Sequence, residues 1–305
     1  MNEACACLRD SPGAIPARRP WLIAGTIPDA DFPLTLAPVR LHEDTLFVGT
    51  LGTTVHRGTP ALLAAAGITA SCLPEDADGP LSFLALVAGD TGDGRGSFAV
   101  YEKLTAVLPE LRPAGMTFHY LMPDVDWHNR ILLAVDALRE PPLLAADAGF
   151  MYAAKMSGYA DKYDLFTPDI GELAFLADEK APHPFYTRNF FLADEGLAPE
   201  LIKKAHEHGN AARHMLVKGL TDRYVYHGEI LDSVEGPDVP ALEPIGGTGD
   251  TVTGIATACL AAGMPMRRAC LTAMRANRHM GKLSSPTAAS SIADLLRYLP
   301  QALAL

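Results

Sequence analysis

The sequence predicts an α/β fold in which helices cover both faces of a central, mostly parallel β-sheet. The chain has 305 residues, of which 49% are hydrophobic and only 20% are charged, so it can bury a large core. Short apolar runs also alternate with segments of helical periodicity, which is typical of a parallel sheet. We expect one α/β domain over residues 20–305 after a disordered tail over residues 1–19, where prolines interrupt any periodic pattern.

The first part of the domain is predicted to be rich in strands. We expect regular structure to begin at residues 21–25. The apolar run over residues 45–49 predicts a buried strand, and a glycine-rich turn after it leads into a helix over residues 60–66. Residues 81–87 and 97–101 also have strand composition. Because the loop between these last two runs contains four glycines, we expect them to form a hairpin with a mobile tip.

The remainder of the chain alternates between strand and helix patterns and ends in helices. The predicted strands cover residues 116–121, 143–146, 165–167, 215–218 and 224–226. The predicted helices cover residues 126–138, 151–159, 171 onward, 199–208, 249–262, 265–279 and 288–299.

Composition and charge exclude several classes of function. The chain has 25 basic and 36 acidic residues and a formal net charge of −11, which provides no basic surface for nucleic acid or an anionic membrane. It contains no apolar run long enough to span a membrane and no apolar block of a secretory signal. Its five cysteines form no disulfide framework, and Cys5 and Cys7 lack the partners of a zinc site. We expect a cytoplasmic protein that acts on small molecules.

A glycine cluster formed by Gly246, Gly247, Thr248 and Gly249 is the most informative local feature, because it leads directly into an apolar helical pattern. The start of a helix presents unpaired backbone N–H groups and the positive end of the helix dipole, and glycines let an anion approach them. The cluster therefore predicts a phosphate-binding loop. It is not a Walker loop, since the Gly-Lys-Ser/Thr ending is absent.

Asp250 directly follows this cluster. The same amides would keep its carboxylate ionised, and an ionised carboxylate beside a phosphate can orient or deprotonate an attacking hydroxyl. The alternative is that Asp250 only caps the helix, as aspartate commonly does. Because a cap does not require the preceding glycines, we interpret Asp250 as a catalytic base.

The glycine cluster, Asp250 and the Leu260-Ala261-Ala262-Gly263 segment resemble the signature of the ribokinase-like superfamily. Within it, residues 143–148, 166–173 and 217–219 resemble, in the expected order, motifs of the ADP- or ATP-dependent NAD(P)H-hydrate dehydratases. A looser match covers residues 48–61. The resemblance extends over about residues 45–300 and implies a ribokinase-like αβα sandwich.

The resemblance also implies roles for individual residues. Phosphates would contact Gly246, Gly247, Thr248, Gly249 and Lys218; Asp169 and Glu172 would hold Mg²⁺ through water; and the substrate would lie beside Gly49, Asp124 and Asp147. Two of these assignments have alternatives, because Asp169 and Glu172 would also suit a helix cap and Lys218 a solvated sheet edge. The implied ligands are ATP or ADP and a small-molecule substrate, and the implied assembly is a homo-oligomer.

The resemblance fails over residues 120–126, where the dehydratases carry a glycine-rich loop against their substrate and this chain does not. In addition, Asp169 replaces a histidine of the family, and the family's Asp-Ala-Asp-Ala motif has become Ala-Asp-Ala-Gly at residues 146–149. These differences predict intact nucleotide handling and an altered substrate pocket.

Four polar residues near this loop, His119, Asp124, Asp126 and His128, are spaced closely enough to consider a metal site. We expect instead that Asp126 caps the following helix and that the strand histidine is a core residue. The sequence therefore does not predict a metal here.

Three functions are consistent with these observations. The first, which the motifs favour, is a nucleotide-dependent dehydratase of hydrated NAD(P)H that phosphorylates the substrate hydroxyl and then eliminates phosphate. The second is an ATP-dependent kinase of a sugar, nucleoside, vitamin precursor or other small alcohol. The third is a non-catalytic nucleotide-binding protein.

Overall fold

The computed structural model describes residues 18–74, 81–183, 187 and 195–305. Its strands form one eleven-stranded sheet. They are β1 Trp21–Ile27, β2 Thr35–His42, β3 Thr45–Val48, β4 Leu51–Thr54, β5 Phe83–Gly89, β6 Gly115–His119, β7 Leu143–Ala146, β8 Leu165–Phe166, β9 His214–Val217, β10 Asp222–Tyr226 and β11 Glu229–Val234.

The centre of the sheet is parallel and its two edges are antiparallel. The strand order is β11-β10-β9-β8-β7-β6-β1-β5-β2-β3-β4, and the pairs from β5 through β1 to β9 are parallel. Strand β1 lies in the middle and all seven of its residues are buried, as expected for a strand covered on both faces. The predicted α/β fold with a mostly parallel sheet is confirmed.

Helices cover both faces of this sheet. In the described residues they are α1 Thr59–Cys72, α2 Arg95–Leu111, α3 Val125–Asp136, α4 Gly149–Ser157, α5 Ile170–Ala177, α6 Ala198–Glu207, α7 Thr248–Ala261, α8 Met266–Ser284, α9 Ile292–Leu296 and α10 Leu299–Leu303. Successive residues of β1 face opposite sides of the sheet and belong to two different cores. Ile23 packs in the core formed with α1 and α7 to α10, and Leu22 packs in the core formed with α2 to α6.

The structure corrects several predicted elements. Residues 97–101 lie inside helix α2 and form no strand of a hairpin, because Val100, Tyr101, Leu104 and Leu108 repeat at helical spacing and face the core. Residues 45–48 form a strand of an antiparallel β2-β3-β4 extension. Strands β2, β4 and β11 were not predicted, and the predicted last helix is divided into α9 and α10.

Two predictions fall mainly outside the described residues. Of the predicted tail, only Arg18 and Arg19 are described, and the Arg19 guanidinium donates hydrogen bonds to the carbonyl oxygens of Arg112 and Pro113. Cys5 and Cys7 lie outside the described residues. Among the helices that are described, none is both long and apolar enough to cross a membrane.

Candidate active site

The candidate site lies where the central parallel strands end. His119 is the last residue of β6, and Asp147, Thr167 and Lys218 directly follow β7, β8 and β9. These four strands are neighbours and parallel, so their carboxyl ends meet at one edge of the sheet. Open α/β sheets bind their ligands at this edge.

The predicted phosphate loop forms the start of helix α7. Gly247 caps the helix with φ at 100°, a conformation that glycine adopts without strain. The amide of Asn277, in α8, holds the first turn: its Nδ2 donates to the Thr248 carbonyl at 3.2 Å, and its Oδ1 lies 2.6 Å from the Thr251 hydroxyl. The first backbone N–H groups of α7 have no partner within the helix, so this fixed turn can accept an anion.

Asp250 lies in the first turn of α7 and is only 8% exposed. Its Oδ1 lies 3.1 Å from His119 Nε2, and its Oδ2 accepts a hydrogen bond of 2.6 Å from the Gly58 amide. Burial acts to raise the pKa of the Asp250 carboxyl, but His119, the positive charge of Lys218 and the Gly58 amide together bring that pKa below its ordinary value. The carboxylate is therefore ionised at neutral pH, which is the state that a general base requires.

A second helix begins beside Asp250. Gly58 precedes α1 with φ at 68°, and its neighbour Arg57 is exposed. A Cβ atom on Gly246 would lie 3.5 Å from Cδ of Arg57, so this side chain packs on the glycine loop. Sequence reasoning missed Arg57 and Gly58 as site residues, although an arginine and a glycine directly before a helix with proline in its first turn were a usable signal.

Lys218 is almost buried, with 13% of its side chain exposed, and its ammonium lies 2.9 and 3.0 Å from the two Asp147 oxygens. Burial acts to lower the pKa of Lys218, but Asp147 and the carboxylates of Glu172 and Asp169 raise it well above its ordinary value. A Cβ atom on Gly249 would lie 3.6 Å from the ammonium nitrogen. Lys218 is therefore a fixed positive charge beside the glycine loop rather than a solvated lysine at a sheet edge.

Asp147 connects Lys218 to the interior of the protein. The Thr253 hydroxyl donates to Asp147 Oδ2 at 2.6 Å and lies 3.0 Å from the Thr167 hydroxyl. Asp147 thus has a cation and a hydroxyl as partners, and its role beside the substrate stays a prediction.

Asp169 and Glu172 form a capping box at the start of α5. Each carboxylate accepts the other residue's backbone N–H at 2.8 Å, and the Tyr152 hydroxyl donates to Glu172 at 3.1 Å. Burial and the nearby charge of Asp169 raise the pKa of Glu172 well above its usual range. A buried carboxyl with both oxygens engaged fits the helix-cap alternative better than a magnesium ligand, and the Mg²⁺ assignment of this pair stays a prediction.

Three buried side chains have the proximity of metal ligands. One ligand atom from each of His119, Asp147 and Asp250 lies within 4.8 Å of the other two. The Lys218 ammonium, however, already occupies the cation position at both oxygens of Asp147. This cluster is therefore a hydrogen-bonded network of fixed charges rather than a metal centre.

The residues around the altered loop have other partners. The expectation that Asp126 caps α3 is wrong: the Asp124 carboxylate is the cap and accepts from the Trp127 amide at 2.8 Å, while Asp126 is exposed and paired with Arg130. His128 is buried and lies 2.9 Å from the Tyr163 hydroxyl.

The predicted substrate residues Asp124 and Gly49 are not brought into contact with Asp250 by any hydrogen bond of the described residues. Gly49 lies in the turn between β3 and β4 with φ at 63°. Tyr120, in contrast, lies at the rim of the site. It is 51% exposed, and its ring packs edge-on against the His119 ring with centroids 4.6 Å apart.

Comparison with solved structures identifies the fold. The putative phosphomethylpyrimidine kinase of Bacteroides thetaiotaomicron has a TM-score of 0.57 at 14% identity, over 96% of both chains. The pyridoxal kinase of Bacillus subtilis, in an ADP complex, has a TM-score of 0.50 at 14% identity, over 84% of this chain and 88% of that one. The Staphylococcus aureus pyridoxal kinase bound to AMP-PCP and pyridoxal has a TM-score of 0.50 at 16% identity, over 85% and 86% of the two chains.

The fold that these structures share with this chain is ribokinase-like, as the sequence motifs predicted. No family model matches the chain. The uncharacterized protein MJ1337 of Methanocaldococcus jannaschii is 35% identical to it over 219 residues, which are 72% of this chain and 90% of that protein. This chain therefore belongs to the family of MJ1337 and has a ribokinase-like fold.

Proposed function

We propose that this protein is a kinase that transfers a phosphoryl group from an adenine nucleotide to a hydroxyl of a small molecule. The observation that carries the proposal is the buried Asp250 carboxylate in the first turn of α7, directly after the glycine loop, where His119 and the Gly58 amide hold its two oxygens. A base at this position is beside the reacting phosphate if that phosphate binds to the helix N-terminus.

In the proposed reaction, Asp250 accepts the proton of the acceptor hydroxyl while the hydroxyl oxygen attacks the terminal phosphorus. The new O–P bond forms as the bond from that phosphorus to the bridging oxygen of the nucleotide breaks. The α7 amides, Lys218 and Arg57 would stabilise the charge on the phosphoryl oxygens and on the leaving group. Mg²⁺ would arrive with the nucleotide as part of the substrate, and no step depends on a protein ligand to it.

The solved structures with this fold support a kinase more than a dehydratase. They are pyridoxal and phosphomethylpyrimidine kinases, two of them holding ADP or AMP-PCP. We therefore propose ATP as the first donor to test and small heterocyclic alcohols, including vitamin precursors, as the first acceptors. The half-exposed ring of Tyr120 beside His119 would give such an acceptor a flat surface to stack on.

The second candidate is the dehydratase of hydrated NAD(P)H. It is favoured by the ordered resemblance of residues 143–148, 166–173 and 217–219 to motifs of those enzymes. Two of these segments contain Asp147 and Lys218, which are hydrogen-bonded to each other. For either activity we expect a cytoplasmic homo-oligomer, and the net charge of −11 supports an enzyme without nucleic-acid or membrane partners.

Product analysis distinguishes the candidates. The purified chain is incubated with Mg²⁺, ATP or ADP, and either a panel of small alcohols or hydrated NADH. A phosphorylated alcohol identifies the kinase, whereas free phosphate together with regenerated NADH identifies the dehydratase. Nucleotide binding without turnover of any acceptor would contradict both and leave a nucleotide-binding protein.

A further inference from the structure

We propose that His119 is a positioning residue that holds the Asp250 carboxylate oriented and ionised for its role as base, with Thr59 fixing the orientation of the imidazole ring. The inference rests on the proposed function, because it concerns the base of that reaction. It assigns a role to a residue that sequence reasoning treated as part of the core.

The geometry shows a chain of three buried polar side chains. His119 and Thr59 are both fully buried. His119 Nε2 lies 3.1 Å from Asp250 Oδ1, and His119 Nδ1 lies 3.1 Å from the Thr59 hydroxyl oxygen. An ionised carboxylate can only accept, so Nε2 carries the hydrogen; in a neutral ring Nδ1 then accepts from the Thr59 hydroxyl.

The environment of His119 differs from that of an ordinary core histidine. His128 is equally buried, but the groups that contact its ring nitrogens are neutral, among them the hydroxyls of Tyr163 at 2.9 Å and Ser157 at 3.0 Å. His119 instead contacts Asp250 and lies 3.7 Å from Asp147. A histidine that only fills the core needs no carboxylate partner. A histidine that orients a catalytic carboxylate must contact that carboxylate.

Five charged or polar groups surround Asp250, and they come from four elements. They are the Gly58 amide before α1, His119 on β6, Asp147 after β7, Lys218 after β9 and Tyr120 after β6. Of these, the His119 hydrogen bond has the strongest effect in lowering the pKa of the Asp250 carboxyl, ahead of Lys218 and Gly58. Removing this donor should therefore raise that pKa while Gly58 still holds the other oxygen.

A matched pair of substitutions tests the contact. In His119→Gln the amide nitrogen can reach the position of Nε2 and still donate to Asp250, whereas in His119→Asn the shorter amide reaches only the position of Nδ1. The Asp250 carboxyl is followed by carbon-13 NMR titration, with its signal assigned by Asp250→Asn. We expect the Asn variant to titrate about one pH unit higher than the wild type, as for the loss of one hydrogen bond to a charged group, and the Gln variant to titrate close to the wild type.

Kinetics supplies a second readout that a purely structural role would not change. In the Asn variant we expect kcat to fall about tenfold, as is typical when an outer partner of a site residue is lost, with the nucleotide KM almost unchanged. The acid limb of its pH profile should move to higher pH. In the Gln variant both kcat and the acid limb should be close to those of the wild type. His128→Asn is the control for loss of a buried histidine and should shift neither the limb nor the Asp250 titration.

The outcomes separate this inference from the proposed function. If the wild type phosphorylates no acceptor, the proposed function fails, and the Asp250 titration still decides whether His119 acts on the carboxylate. If Asp250 titrates identically in the wild type and in the Asn and Gln variants, the inference about His119 is overturned. Should His119→Asn not fold, Thr59→Val removes the other partner of the ring, and an unchanged Asp250 titration in that variant would overturn it as well.

Discussion

Asp250 is buried, and yet its carboxylate is held ionised by the groups around it. Burial alone would favour the protonated carboxyl, but three donors or positive groups from α1, β6 and the end of β9 outweigh it. Because the pKa is depressed in the folded protein, the stability that this carboxylate contributes is present above its ordinary pKa of 3.8 and is lost as the pH falls through the lower folded value.

The most direct residue-scale prediction concerns Asp250→Asn. The amide cannot accept the proton of the acceptor, so we expect turnover to fall by at least ~10²-fold, the usual contribution of a general base. Nucleotide affinity should change little, because the backbone N–H groups of α7 are retained. Steady-state kinetics and calorimetric titration with nucleotide measure the two effects.

The control for this variant is Asp126→Asn, which removes an exposed carboxylate paired only with Arg130. It should leave turnover unchanged. Undiminished turnover in Asp250→Asn would exclude this residue as the base.

Gly249 and Gly254, both in α7, differ in whether the packing of neighbouring elements requires a glycine. A Cβ atom on Gly249 would have the flexible Lys218 side chain as its nearest neighbour, at an ordinary contact distance of 3.6 Å, whereas one on Gly254 would lie 2.3 Å from the Leu62 carbonyl oxygen of α1. The first glycine is therefore not required by packing, and the second allows α1 and α7 to approach closely.

We predict opposite effects for alanine at these two positions. Gly249→Ala should preserve the melting temperature, since alanine is the better helix former, but weaken nucleotide binding about tenfold, or about 1.4 kcal/mol, because the methyl group crowds the phosphates. Gly254→Ala should lower stability by about 1–3 kcal/mol through overpacking and affect binding less. Unweakened binding in Gly249→Ala would argue against phosphates at this loop.

The loop between β9 and β10 depends on a buried arginine of α8. The Arg278 guanidinium donates to Asp222 at 2.7 Å and to the carbonyl oxygens of Gly219 and Leu220 at 2.8 Å. These bonds fix the segment that directly follows Lys218.

Arg278→Met should therefore be costly. The substitution leaves Asp222 buried without its cation. Removal of one partner of a buried ion pair lowers the free energy of unfolding by about 3–5 kcal/mol. Arg267→Met, on the same helix, breaks an exposed pair with Asp232 and should cost less than about 1 kcal/mol. Urea denaturation of both variants tests this, and equal losses would contradict the role given to Arg278.

Sequence patterns predicted the elements with strong periodicity and missed those that depend on context. The predicted β7 agrees with the structure at both ends, and the predicted α7 differs by one residue at each end, because both have a clear apolar pattern between breakers. The strand predicted over residues 97–101 was wrong because a run of four apolar or aromatic residues fits either period, and only the longer window over α2 shows the helical one. The edge strands β2, β4 and β11 are half-exposed and carry too little apolar pattern to detect.

At the scale of the whole molecule, the site is assembled from positions far apart in the chain. Gly58 lies 192 residues before Asp250 in the sequence and His119 lies 131 residues before it, yet both are hydrogen-bonded to the Asp250 carboxylate. Local patterns identified Asp250 and Lys218, which lie at recognisable element ends. They predicted His119 as a core residue of a strand but not its contact with Asp250, which forms only when β6 and α7 come together.

Nucleotide binding should stabilise the whole fold. A ligand present at 100 times its Kd adds about 2.7 kcal/mol to the stability of the native state, so ATP or ADP with Mg²⁺ should raise the melting temperature by several degrees. Asp250→Asn should retain this shift, and Gly249→Ala, with about tenfold weaker binding, should lose about half of it. Removal of Mg²⁺ with a chelator should reduce the shift, because the nucleotide phosphates would then repel Asp147 and Asp250.

The decisive experiment is to locate the phosphates of a bound nucleotide relative to the start of α7. A crystal structure of the protein with AMP-PCP and Mg²⁺ should show phosphate oxygens about 3 Å from the backbone nitrogens at the start of α7, with the Asp250 carboxylate facing the terminal phosphate. Phosphates bound at another edge of the sheet, or an Asp250 carboxylate out of reach of the terminal phosphate, would contradict the account.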